Sequence, residues 1–221
     1  MIKNVNLTNL SIPESSCLAR CFRTKIRDGD MVFGAAEIKL IGLIYLSDLK
    51  MTFSYLDEAT TLDLGGLEVV LGADADRKLI DQPFICNHLL KKLTLPKITC
   101  DRDVNYVELL YDLRNVTDLD MTNIKLNLTH DNFGVIAMTP RSLLNLKAPN
   151  ITITEYIPEL VYSITHNHLL HSLEIGFSTV ELILQYEKGL GCEYDRSRRM
   201  FKFNDLSCIS KHWGEISNVN I

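Results

Sequence analysis

Apolar residues recur at positions 1, 4, 6, 9 and 11 of an eleven-residue frame, and a chain built this way must stack its segments to bury them. The clearest copy is Val116, Leu119, Met121, Ile124 and Leu126. The frame returns at Leu90, Leu93, Leu95, Ile98 and Cys100, at Leu143, Leu146, Ala148, Ile151 and Ile153, and at Leu170, Leu173, Ile175, Ser178 and Val180. These copies start at 90, 116, 143 and 170, so successive starts lie 26, 27 and 27 residues apart. Further copies start near 59 (Ala59, Leu62, Leu64, Leu67, Val69), near 35 (Ala35, Ile38, Leu40, Leu43, Tyr45) and at residue 2 (Ile2, Val5, Leu7, Leu10, Ile12). An eighth begins at Arg198 and keeps Phe201, Phe203, Leu206 and Cys208.

The spacing has a physical reading. Side chains alternate along a strand, so positions 4 and 6 point into the stack, and positions 3, 5 and 7 point outward. Positions 9 and 11 then bring the chain back over the core. No segment can bury its apolar side alone, so the expectation is one repeat domain over 1–221 with about eight repeats.

Segments between the copies carry helical spacing. Ile157, Leu160, Val161 and Ile164 follow Thr154, with Pro158 acceptable in a first turn. Leu182, Ile183, Tyr186 and Leu190 form a second stripe; others are Val104, Val107, Leu110 and Leu113; Leu46, Leu49, Phe53 and Leu56; and Leu18, Cys21, Phe22 and Ile26. Longer links at 13–34 and 68–89 carry the loop signals Arg27-Asp-Gly-Asp30 and Gly72-Ala-Asp-Ala-Asp76. Strand followed by helical return predicts an α/β fold with helices on one side of a parallel sheet.

The frame resembles the leucine-rich repeat signature L-x-x-L-x-L-x-x-(N/C)-x-L over essentially the whole chain. That resemblance implies a leucine-rich-repeat solenoid, with a curved parallel sheet on the concave face and helices on the convex face. Position 9 departs from the signature, being Leu10, Leu43, Leu67, Ile98, Ile124, Ile151, Ser178 and Leu206 instead of Asn or Cys. Backbone groups that an asparagine ladder would satisfy must therefore find backbone or water partners, since a buried unpaired group costs about 1–3 kcal/mol. The period with helical returns is most similar to the intracellular repeats that accompany F-box adaptors.

In such a fold the outward strand residues form the binding face: Lys39, Asp63, Thr94, Asp120, Lys147, Glu174 and Lys202 at position 5, with Lys92, Asp118 and Asn145 at position 3. The last four position-5 residues alternate in sign, and neighbouring strands lie about 4.8 Å apart. Two readings are open: a self-neutralising ladder that keeps the sheet soluble and in register, or a polar recognition strip. With few Trp, Tyr or Arg anchors, the face suits a mixed polar protein or peptide better than a lipid.

Chemistry is harder to place. His166, His168 and His171 are dense but have no metal-ligand spacing or adjacent fixed carboxylate, and read as a solvated turn. No phosphate-cradling glycine loop and no nucleophile elbow occurs, so no catalytic residue, metal or cofactor is expected. Arg196, Arg198, Arg199 and Lys202 form a basic cluster beside Glu193 and Asp195, and Trp213 suits a terminal cap over the open core. The six cysteines (17, 21, 86, 100, 192 and 208) lack CxxC pairing and read as reduced thiols.

A net charge of −5 without a basic stripe argues against nucleic acid. No membrane-length apolar run or secretory signal is visible, so the sequons at Asn6, Asn115, Asn127 and Asn150 read as chance matches and the compartment as cytoplasmic or nuclear. The expected function is a non-enzymatic adaptor or scaffold holding a protein on the concave face, in its most specific form an F-box-type substrate receptor. No F-box is visible upstream of the first strand, and the uncapped strand Ile2–Ile12 calls for a partner or a chain extension to cover it. The alternative is a GTPase-activating or inhibitor-type regulator, with Arg198 or Arg199 as the rim arginine.

Overall fold

A computed structural model describes residues 4–6, 37–45, 59–70, 88–99, 113–137 and 142–203. It shows a mixed α/β fold containing a parallel-strand β-solenoid of about three turns. The chain divides into two compact units, Met1–Thr117 and Asp118–Ile221.

The first unit contains strands β1 (Asn4–Asn6), β2 (Glu37–Tyr45), β3 (Thr61–Val70), β4 (Lys92–Thr94) and β5 (Lys97–Thr99). The first four pair in parallel in that order. Asn4 faces Glu37, Glu37 faces Thr61 and Thr61 faces Lys92, which places position 3 beside position 3 in these four copies. The irregular starts at 2, 35, 59 and 90 are therefore absorbed outside the strands.

Along β3 the buried residues are Leu62, Leu64, Leu67 and Val69, and Gly65 and Gly66 between them both face outward. Alternation restarts after that pair. The 4-6-9-11 spacing thus encodes two short strand segments with a corner between them, and β5 runs parallel to the second segment. Glu68 to Val70, expected in a loop, belong to β3.

The second unit contains β6 (Asp118–Asp120), β7 (Leu126–Leu128), α1 (Gly134–Ala137), β8 (Asn145–Ile153), α2 (Pro158–His166), β9 (Ser172–Phe177), α3 (Val180–Leu190), β10 (Tyr194–Asp195) and β11 (Met200–Lys202). Strands β6, β8 and β9 are parallel and in register, with Leu119, Leu146 and Leu173 side by side in the core. β8 repeats the corner of β3: Leu146 and Ala148 are buried, Pro149 and Asn150 turn outward, and Ile151 and Ile153 are buried again. β7 pairs with that second segment. Backbone ladders through β5 and β7 consequently do the work of an asparagine ladder, which frees position 9 to be apolar: Leu67, Ile124 and Ile151 are all buried.

Both helices read from the stripes near 157–164 and 182–190 are present. α2 starts on Pro158 and buries Leu160, Val161 and Ile164; Ile157 precedes it without a side-chain cap. α3 buries Leu182, Ile183, Tyr186 and Leu190. The Thr179 hydroxyl accepts from the Leu182 amide at 3.3 Å, and Gly191 closes the helix at φ 66° with its N–H on the Glu187 carbonyl. The expected stripes at 18–26 and 46–56, nearly all of that at 104–113, and Trp213 lie outside the described residues.

The eighth copy departs from expectation. β11 pairs with β9 antiparallel: Met200 faces Glu174, Phe201 faces Leu173 and Lys202 faces Ser172. β10 and β11 form an antiparallel hairpin. A strand with one central apolar residue between two outward ones has the same pattern in either direction, so the frame places Phe201 in the core without revealing which way the chain runs. Phe201 is fully buried, against Tyr194 at 4.9 Å and Phe177 at 5.9 Å between ring centroids. Phe177 in turn meets Tyr186 at 5.2 Å, and Tyr186 meets Tyr156 at 5.4 Å. This aromatic cluster covers the core beyond β9.

Candidate functional site

The outward side chains of the strands are the candidate site, and the structure shows how each is held. Asp63 and Asp120, both at position 5, are built alike. One carboxylate oxygen accepts the N–H two residues on, at Gly65 or Thr122, each at 2.9 Å. The other meets a lysine at position 5 of the preceding or following strand, Lys39 at 2.9 Å or Lys147 at 3.1 Å. Each aspartate therefore fixes the corner after its own strand and ties two strands together. Burial alone would raise the Asp63 pKa, but the Lys39 hydrogen bond and charge, with the Gly65 N–H, bring it below the ordinary value.

Position 3 in the second unit forms a continuous polar row. The Asn145 amide donates to Asp118 at 2.8 Å, and the Ser172 hydroxyl donates to the Asn145 oxygen at 2.7 Å. Glu174 is half-buried at the end of the position-5 row and Lys202 exposed. In the first unit Lys92 is exposed and Thr94 half-buried beside Asp63. Asp118, Asp120, Asn145, Lys147 and Glu174 therefore share one surface of the second unit, and Lys39, Asp63, Lys92 and Thr94 one of the first.

Side-chain rungs between turns were not anticipated. The Asn115 amide reaches the His88 carbonyl at 2.9 Å, Asn150 that of Thr122 at 2.6 Å, and the Thr154 hydroxyl that of Leu128 at 2.9 Å. Both asparagines are sequon residues whose amide nitrogens serve the fold. His130 donates its backbone N–H to Glu155 at 2.6 Å and sets its Nδ1 2.8 Å from the same oxygen. These two bonds hold the exposed Glu155 carboxyl below its ordinary pKa. The signal is spacing alone: a polar residue 25 to 28 positions from its acceptor.

The histidine cluster resolves into local contacts. His166 ends α2, stacks on Tyr162 at 3.7 Å and turns Nδ1 to the Tyr162 carbonyl at 2.8 Å. His171 turns its Nδ1 to the Leu169 carbonyl at 2.6 Å. Among the described residues no three His, Cys, Asp or Glu side chains converge as a metal site would require, and no helix is long and apolar enough to cross a membrane. Of the cysteines, Cys192 is described and half-buried.

Arg199 takes a left-handed conformation, φ 54°, at the end of the β10–β11 turn. Its guanidinium lies over Gly176, where a Cβ would overlap it, and donates to the Tyr194 hydroxyl. Burial raises the Tyr194 pKa, and Arg199 opposes the rise. No protein-family profile matches the chain, and no characterised protein or solved structure is detectably similar to it.

Proposed function

We propose that this chain is a non-enzymatic protein-binding module of leucine-rich-repeat type, an adaptor or scaffold that holds a partner on the outward faces of its strands. The observation that carries the reading is the in-register row of outward residues on β6, β8 and β9, with Asp118, Asn145 and Ser172 locked by hydrogen bonds. Side chains fixed before binding lose little entropy on binding, which favours a specific polar interface. The rows supply hydrogen-bond and charge recognition without a nucleophile paired to a base. Within this class, the resemblance of the repeats to those of F-box adaptors supports a substrate receptor of a ubiquitin ligase, in a cytoplasmic or nuclear setting.

Photo-crosslinking tests it. A benzophenone amino acid at Glu174 should capture one partner, and the same group at Gln185, exposed on α3, should not. Lys147→Glu should abolish the Glu174 product. Ligase subunits in the product would support the adaptor form; a small GTPase or nuclease would point to the regulator instead. Equal capture at both positions would reject the strand face.

A further inference from the structure

Beside the strand rows of the second unit, a cleft of about 310 Å³ lies where β7 and the corner within β8 meet the β10–β11 turn. Lys125 and Arg199 both line it, and among the described residues neither makes an ion pair with a carboxylate. Asn127 and Thr152 add polar side chains, and Leu126 and Pro149 add apolar wall. No carboxylate is among these lining residues, in a chain whose net charge is −5. The local field thus runs against that of the whole molecule.

We propose that this cleft binds a phosphate monoester carried on a short carbon chain, with Lys125 and Arg199 as the charge-bearing ligands. Three observations converge. First, the two cations match the charge of about −1.5 to −2 on a monoester at neutral pH, where a carboxylate would leave one unpaired. Second, Arg199 is held in a backbone conformation that costs a bulky residue about 1–3 kcal/mol, its guanidinium occupies the space that a Cβ on Gly176 would fill, and the Tyr194 hydroxyl takes one of its donors. A planar fork fixed in this way suits two oxygens of a phosphoryl group. Third, the volume sits at the lower edge of the range for ligand pockets, about 300–1,000 Å³. That exceeds what a bare ion fills, and the Leu126 and Pro149 wall can take the carbon chain.

The nearby carboxylates are engaged elsewhere or face other groups. Asp195 accepts from Ser197 and Arg198 in its own turn; Glu174 is the strand partner of Met200 and, like Arg199, acts on the Tyr194 hydroxyl, but it does not line the cleft. Asn150 has its amide on the Thr122 carbonyl, which holds the corner in place. The inference stands independently of the protein-binding reading, because a free metabolite and a phosphorylated side chain present the same group.

Backbone amide shifts of Asn127, Thr152 and Gly176 can be followed in the whole chain during titration. The probes are N-acetyl-phosphoserine N-methylamide, glycerol 3-phosphate and, as a control, sodium chloride at matched ionic strength. Saturable shifts with either ester, absent with chloride, support the site, and the tighter ester identifies a peptide-borne or a free source. Arg199→Met should weaken binding by about tenfold or more. Lys125→Met should do the same while leaving the hairpin untouched, which guards against a turn that misfolds. Shifts that follow chloride equally, or unchanged affinity in Lys125→Met, would overturn the proposal.

Discussion

Strands β6, β8 and β9 extend the second unit by repetition, whereas β10 and β11 close it by folding back. In the repeated part each turn presents the next with the same register, and Leu119, Leu146 and Leu173 form one continuous apolar row. At the closed end a single Phe201 takes the place of that row; rings from β9 and β10 pack against it, and Tyr186 of α3 meets Phe177 behind them. Repetition alone would leave an open edge and an uncovered core. Among the described residues, reversing the last strand and thickening it with aromatic rings removes the apolar template, and the two-residue strand β10 beyond it leaves little described edge for another chain to join.

The two regions should respond differently to damage, and the strongest test falls on the repeated part. Leu146 is 2% exposed between two leucines of neighbouring turns. Leu146→Asp would bury an unpaired charge that no side chain in that row can match, and loses more than about 4 kcal/mol, enough to unfold the unit. Circular dichroism should show no cooperative melt. A melt at the parent temperature would show that the row is not the core.

Phe201→Ala should cost about 3–5 kcal/mol, the usual range for truncating a fully buried ring. Here the expected outcome is a weakened closed end with the parallel turns still folded. Hydrogen exchange should accelerate at Tyr194, Ile175 and Phe177 while Leu119 and Leu146 stay protected. Uniform acceleration across both regions would mean that the end is one cooperative block with the repeats.

Alkaline pH probes the same contrast more gently. Burial pushes the Tyr186 hydroxyl up to about 12 from an ordinary 10.0, against the lowering effect of the Ile157 N–H that donates to it at 3.2 Å. A raised tyrosine pKa contributes stability that is complete below the unfolded value of 10.0 and is lost as pH rises through about 12. Thermal melts should therefore hold steady up to about pH 10 and fall above it. Tyr186→Phe should start lower, because the Ile157 N–H loses its acceptor, and then decline less steeply. An identical alkaline slope in the variant would assign the loss to other groups.

Much of this arrangement was legible in the residues, and the parts that were not share a cause. Apolar spacing is local, so it marked the residues of the described parallel strands and of both described helical stripes, in a solenoid of about three turns. Strand direction is not local: Met200-Phe201-Lys202 reads alike forwards and backwards, and only the hairpin Tyr194–Lys202 decides it. The charge alternation at position 5 was visible and holds for Asp120, Lys147 and Glu174, but the reversed last strand sets Lys202 opposite Ser172 instead. The second task of Asp63 and Asp120 was not visible, because it depends on an N–H two residues on exposed by the corner. The Lys125–Arg199 cleft was hidden for the same reason, since its cations are separated in sequence and meet through the fold.

Lys147→Glu is the mildest perturbation of the repeated part and the sharpest for its surface. It replaces a 3.1 Å pair with Asp120 by a repulsion, but the lysine side chain is 51% exposed, so solvent screens most of the effect. Exposed pairs contribute about 0.2–1 kcal/mol, and the melt should fall by no more than that implies. Asp120 would still accept the Thr122 N–H, so the corner survives the change. A partner held on the strand face should lose affinity well beyond this small stability cost. If binding and stability fall together by the same small amount, the charge row serves the sheet alone, and recognition belongs on another surface of the unit.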